Sequence, residues 1–283
     1  MRGGAAPGPV LLLGAGAVTL AFASDHPLVL LAAAAGAVLL FMAAPVRSPI
    51  YPTAAAIAAV TIVVLNPFVQ GNGEHIVVQG PEIPILDTQV TVEELVAGLA
   101  IGLRAVAVTL MIGAVLALAD PDRLQAAIAR VLPRSALASA LSARMLPTLE
   151  RDARALAESA RLRGLALDTG SRLERARTAA GLALPLVGSS LERALDVAEA
   201  MAARGYGAAR RTRLPEPPLR RREVVVLGAG LAVLAVGVAA AVLGLGDYSF
   251  YPTLDAPAGG GAVAAAAVAL AGMAVASAAL WRR

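Results

Sequence analysis

Side chains that could carry covalent or metal chemistry are scarce in this 283-residue chain. It has no Cys and only two His, so disulfides, thiolate catalysis and Cys-rich zinc sites are out. His26 and His75 stand in separate loops, and a catalytic triad has no obvious base. All 24 basic residues are Arg. A phosphate-binding loop needs a lysine to reach the β/γ-phosphates and Schiff-base chemistry needs one as nucleophile, so neither is available. Glu93 and Glu94 are the nearest thing to an acid–base pair. Neighbours on a helix point about 100° apart, which keeps them from converging on one substrate atom. The expectation is a chain with no catalytic residues, no metal site, no cofactor and no enzymatic activity of its own.

The arginines are where the sequence concentrates its charge. Nineteen of the 24 fall between Asp120 and Arg222. Within that block two helical segments run to an Arg-Gly stop, at Arg163-Gly164 and Arg204-Gly205. Composition alone predicts about two Arg-Gly dipeptides in such a chain, and three occur when Arg2-Gly3 is counted. The information lies in the shared frame. Leu149-Glu150-Arg151 precedes Gly164 and Leu191-Glu192-Arg193 precedes Gly205. Each glycine is placed to stop its helix in a left-handed conformation, and each arginine to project from the last turn, where the helix dipole favours a cation. Read from pattern alone, these arginines are either solvated helix-end charges or a matched pair of contacts.

The elements that must position them are lipid-spanning. Mean hydropathy is +0.73 and 58% of residues are hydrophobic, above the roughly 45–50% of a soluble domain. Apolar stretches run over 9–23, 28–44, 53–69, 95–119, 224–245 and 262–280. The first is slightly short of the roughly 17–25 residues a crossing needs, and the next two sit at the lower limit. Arg2, Arg47, the 120–222 block and Arg282-Arg283 are assigned to the cytoplasm. The arginine-free loops 24–27, 70–92 and 246–261 are assigned to the outside. All six spans fit that alternation, with both termini inside, and the pI near 10.3 then reflects topology rather than nucleic acid. Tyr248, Phe250, Tyr251 and Trp281 fall where an interfacial aromatic belt belongs. The stretch from Arg2 to Ala23 resembles a signal peptide, but the spans that follow favour an uncleaved first helix. Loop 70–92, with Ile76-Val77-Val78, Gly80-Pro81 and Ile83-Pro84-Ile85, reads as a short external hairpin, its Glu74, Glu82 and Asp87 merely solvating.

Three regions follow: an N-terminal membrane domain over 1–119, a cytoplasmic domain over 120–222 and a C-terminal transmembrane hairpin over 223–283. The fold class is an all-α polytopic membrane protein of about six transmembrane helices, with long amphipathic helices between spans four and five. Asp120 caps a helix with Pro121 at its first position, and Pro133 ends it. A longer helical stretch is interrupted by Pro147, after which Leu149, Ala153, Leu156 and Ala160 form one stripe. Leu191, Leu195, Ala198 and Ala202 form the matching stripe, small-residued and suited to close helix crossing. Residues 179–188, with Pro185, are apolar but too short to span and read as a buried elbow touching the bilayer surface.

These residues, in this order, resemble the transmembrane T component of energy-coupling factor transporters, the EcfT/CbiQ family. The resemblance covers roughly 44–213. It rests on Asn66-Pro67 closing the third span, Glu94 opening the fourth with Arg104 inside it, Asp120-Pro121-x-x-Leu124, Arg144-x-x-Pro147, Pro185, Leu191-Glu192-Arg193 and Ala203-Arg204-Gly205-Tyr206. It implies that two cytoplasmic coupling helices, each ending in Ala-Arg-Gly, insert into two ABC-type ATPase subunits. It implies too that the chain holds a small substrate-binding S component in a prokaryotic plasma membrane, for uptake of a vitamin or a transition-metal ion. The second signature matches fully as Ala203-Arg204-Gly205. The first reads Leu162-Arg163-Gly164, which leaves Arg161 as a competing contact. Asn66, Pro67, Glu94, Arg104, Asp120, Pro121, Arg144 and Pro147 are assigned structural or S-component docking roles. Arg104, costly inside a span, calls for a carboxylate or for carbonyls near Asn66.

Two other classes stay in view. A basic scaffold binding anionic lipid would be indifferent to which arginine is lost. Coupling instead makes Arg163 and Arg204 sensitive and Arg210 not. A polytopic membrane enzyme would need clustered carboxylates or His at the membrane surface.

Overall fold

The computed structural model describes residues 5–68, 75–79, 89–165, 171–207, 218–251 and 259–281. Arg2, Arg210, Arg213, Arg282, Arg283, Glu74, Glu82, Asp87, the Gly80-Pro81 turn and Ile83–Ile85 lie outside them. Among the described residues every long element is helical: α1 Pro7–Ala23, α2 Pro27–Ala43, α3 Ile50–Leu65, α4 Val92–Leu118, α5 Pro121–Val131, α6 Pro133–Leu162, α7 Arg172–Ala203, α8 Arg221–Leu243 and α9 Gly260–Trp281. The fold is all-α. Among the described residues one two-stranded ladder forms, pairing β1 Ile76–Gln79 antiparallel with β2 Gln89–Thr91. Ile76 stands opposite Thr91 and Val78 opposite Val90.

The chain divides into two compact units, Met1–Leu124 with Pro218–Arg283, and Gln125–Pro217. The first holds the six apolar helices. Three of them, α4, α8 and α9, have 27, 23 and 22 residues and are long and apolar enough to cross a membrane. The other three have 17, 17 and 16, at or just under the crossing length. Their starts follow local rules. Pro stands at the first position of α1 and α2, and Thr91 and Glu94 form a capping box on α4. These helices are apolar outside as well as inside: Phe22, Ile57, Val60, Leu116 and Val242 are all more than 60% exposed. A surface of that kind marks contact with lipid or protein rather than water.

Small residues let the apolar helices approach closely. A Cβ on Gly16 of α1 would lie 2.8 Å from the backbone nitrogen of Leu234 in α8, and one on Gly230 would lie 2.9 Å from that of Leu13. With no water to expel between lipid-exposed helices, such backbone-to-backbone contact is what favours association. α2 packs on α4 and α9, and α3 on α4. Leu20, Val29, Ala37, Leu40, Met111 and Met273 form the core among them, all at most 2% exposed.

The second unit is α6 against α7. Two prolines that should interrupt it do not: α6 runs unbroken through Pro147 for 30 residues and α7 through Pro185 for 32. Each proline removes one backbone donor, but both lie on exposed faces, where a freed carbonyl is open to solvent rather than buried without a partner. The flanking Ala, Leu, Arg and Glu keep the helix favourable. Residues 179–188 are therefore not an elbow. They belong to a continuous helix, and Leu184 and Val187 are 79% and 60% exposed.

Candidate functional site

Both Arg-Gly stops are built the same way. At the end of α6, Arg163 is the C-cap residue and Gly164 has φ +80°. The Gly164 N–H donates to the Arg161 carbonyl at 2.9 Å and the Leu165 N–H to the Ala160 carbonyl at 3.0 Å. At the end of α7, Arg204 is the C-cap and Gly205 has φ +78°. There the Gly205 N–H donates to Ala202 at 2.9 Å and the Tyr206 N–H to Met201 at 3.0 Å. This pair of reverse bonds is the Schellman motif, which needs a left-handed residue after the cap; glycine takes it without the Cβ penalty. Arg163, Arg204 and both glycines are exposed, as are Arg161 and Ala203, and Leu162 is 90% exposed. Each guanidinium thus leaves its helix from a rigid stop, beside the negative end of the dipole.

The helices behind the tips are fastened to each other. Arg193 donates to Asp152 across the α6–α7 contact at 2.8 Å. Ala153, Leu156, Ala157 and Arg161 of α6 share a groove of about 400 Å³ with Leu182, Ala183 and Leu186 of α7. The α6 stripe falls as expected, with Ala160 buried and Leu149, Ala153 and Leu156 half-buried. The α7 stripe does not. Leu191 and Leu195 are 61% and 58% exposed, and over this stretch the half-buried positions are instead Arg193, Val197 and Met201. Heptad-like spacing identifies a face but not which of two adjacent faces a partner covers. Here an ion pair at Arg193 lies on the covered side. Arg144 is exposed on α6, three residues before Pro147.

In the membrane unit the polar residues singled out from sequence staple helix ends. α3 gives way at Asn66 to a 3₁₀ turn over Asn66–Phe68, with Pro67 inside it. The Asn66 amide donates to the Glu94 carbonyl at 2.9 Å. Glu94, fully buried, accepts from the Thr91 N–H at 2.9 Å. Burial and then the Glu94 charge push the Tyr251 phenol above its usual value, while Asn66 acts the other way. Glu93 turns elsewhere and meets His75 at 2.5 Å, so the two carboxylates diverge. Arg104 does not pair near Asn66. It caps the end of α1, donating to the carbonyls of Ala21 and Ser24 at 2.8 and 3.0 Å and to the Asp25 carboxylate at 2.5 Å. Asp120 caps α5, accepting from the Asp122 N–H at 3.0 Å. Pro121 follows as the first helical residue.

Sequence reasoning missed the roles of two residues. His26 is 5% exposed and caps α2, its Nδ1 accepting from the Leu28 N–H at 3.2 Å; the signal was a His-Pro pair before an apolar run. Glu223, 1% exposed, is an acidic residue at the head of an apolar helix, following Arg220-Arg221-Arg222. It accepts from the N–H of Ala6 at 2.9 Å, from Arg123 at 3.0 Å and from the N–H of Arg220 at 2.8 Å. Among the described residues no three His, Asp or Glu side chains come together in a way that could hold a metal ion.

Six apolar helices with polar staples at their ends, and two arginine-tipped helices, describe a helical membrane protein. The family model of the cobalt transport protein family, CbiQ, matches residues 10–214, and the chain belongs to that family. A curated protein of Exiguobacterium sibiricum, named energy-coupling factor transporter transmembrane protein EcfT, is 38% identical to it over 104 residues. That stretch is 36% of this chain and 38% of the relative's length. α8 and α9 lie beyond the residues the family model matches.

Proposed function

We propose that this chain is the non-catalytic transmembrane subunit of an energy-coupling factor importer, passing ATP-driven motion from two ABC-type ATPase subunits to a substrate-binding S component. The observation that supports it most is the identical construction of the two helix stops that expose Arg163 and Arg204. A guanidinium on a rigid stop can pair bidentately with an acidic groove. Two such tips on one α6–α7 pair give two motors a purchase on one body. In this reading Arg163-Gly164, flanked by Arg161, and Ala203-Arg204-Gly205 are the ATPase contacts. Asn66, Pro67, Glu94, Arg104, Asp120, Pro121, Arg144 and Pro147 keep the helices in register for S-component docking. The exposed α7 face from Leu184 through Leu195 is surface for a partner. Six passes, both termini in the cytoplasm of a prokaryotic cell and residues 120–222 on that side complete the arrangement. The cargo is a micronutrient, a vitamin or a transition-metal ion, held by the S component.

The test is co-purification with the candidate ATPases, using Arg163→Ala, Arg204→Ala and, as control, Arg177→Ala on an exposed part of α7. A lost charge-assisted hydrogen bond is worth about 1.5–3 kcal/mol, so either tip variant should weaken retention about ten- to a hundredfold while Arg177→Ala leaves it unchanged. Equal behaviour of all three would support the basic lipid scaffold instead.

A further inference from the structure

Residues 125–217 leave the membrane unit after Leu124 and return to it at Pro218. Both connections, as the membrane unit holds them, meet at one buried carboxylate. Glu223 stands in the first turn of α8 and is 1% exposed. Its Oε2 takes the Arg220 N–H, while its Oε1 takes the Ala6 N–H just before α1 and the Arg123 guanidinium in the first turn of α5. The Arg222 charge acts on the same carboxylate. The N-terminal segment is also hydrogen-bonded to the α4–α5 junction: the Ala5 N–H donates to Leu118 at 3.0 Å and the Asp120 N–H to Ala5 at 3.1 Å. The first turn of α8, the last turn of α4, the first turn of α5 and the lead into α1 are thereby one knot. It lies where α1 and α8 begin the close backbone crossing marked by Gly16 and Gly230.

We propose that Glu223 is a positioning residue of the coupling cycle, locking the outgoing and returning chain into one joint so that α1, α4 and α8 respond together. The inference rests on the coupling reading given above. Without the lock, the two connections would bend independently and absorb the displacement delivered along residues 125–217. Buried charges hold geometry of this sort because breaking one partner leaves the other uncompensated. Arg123 is the partner to remove. Its loss removes the direct tie between the first turns of α5 and α8 while leaving the two backbone bonds of Glu223 in place, so the head of α8 stays capped.

The chain has no cysteine of its own, which allows nitroxide labels at Asp122→Cys and Arg221→Cys, both exposed. The labelled chain, assembled with its ATPases in nanodiscs, is compared without nucleotide and with ATP plus vanadate. The joint predicts one narrow spin–spin distance that nucleotide does not change. Adding Arg123→Gln should lose that narrow distance when nucleotide is present, with the ATPases still bound, and Arg123→Lys should restore it. A distance that stays narrow in Arg123→Gln, or that separates with nucleotide in the unaltered joint, would overturn the role of Glu223. A chain with both tip arginines intact that retains no ATPase would instead overturn the coupling reading, and this role with it.

Discussion

Arg204 and Gly205 have separate tasks at the end of α7, and so do Arg163 and Gly164 at the end of α6. The arginine supplies the contact; the glycine supplies a φ near +80° that a Cβ resists by about 1–2 kcal/mol. Gly205→Ala should therefore weaken the Tyr206-to-Met201 bond without removing charge. Hydrogen exchange at the Tyr206 amide should speed about fivefold or more, and Gly205→Asn, which tolerates αL, should speed it less. His26 makes a pH prediction. Burial holds its pKa below 6.5, so the folded protein keeps it neutral while the unfolded chain takes up a proton below that value. The contribution of His26 to stability is then constant above about pH 6.5 and falls as the pH drops below it, because the unfolded state binds more protons there. Thermal unfolding in detergent between pH 7.5 and 5 should show a decline that His26→Asn flattens. Both arginine stops were legible in the sequence because a Schellman end is a local motif. The partner of Arg104 was not, since Asp25 is distant in sequence and only the packing of α1 beside α4 brings it near.

At the scale of elements, apolar length located all six membrane-unit helices to within a few residues, and Pro147 and Pro185 misled. A proline signals interruption only when nothing compensates its lost bond, and an exposed face with strong helix formers on either side does so. The small-residue crossing of α1 and α8 is the sharpest packing claim. Gly230→Leu would force a side chain against the Leu13 backbone and should destabilise by roughly 1–3 kcal/mol or more. Gly228→Ala, with nothing within 4 Å of the new Cβ, should stay within about 0.5 kcal/mol. Chemical unfolding of the two variants in mild detergent compares them directly. In the other unit the Asp152–Arg193 pair is more than a quarter exposed at both ends. A double-mutant cycle there should return no more than about 1 kcal/mol.

For the whole molecule, the absence of cysteine makes topology directly measurable. Single cysteines at Ser48 and Ser135 should be shielded from an impermeant maleimide in intact cells and react after permeabilisation, while one at Ser249 should react from outside. The reverse pattern would overturn the assigned orientation. What the sequence alone determined is what depends on neighbours along the chain: membrane-spanning hydropathy, the arginine-rich block, the caps and the two glycine stops, and the family motifs that those elements carry. What only the tertiary structure decided is which distant groups meet: Arg104 with the end of α1, Glu223 with Ala6 and Arg123, and which face of α7 turns toward α6. The physical reason is that a buried charge announces a need for partners wherever it occurs, but the choice among them is made by the packing that brings a backbone N–H and a carboxylate within 3 Å across two hundred residues of chain.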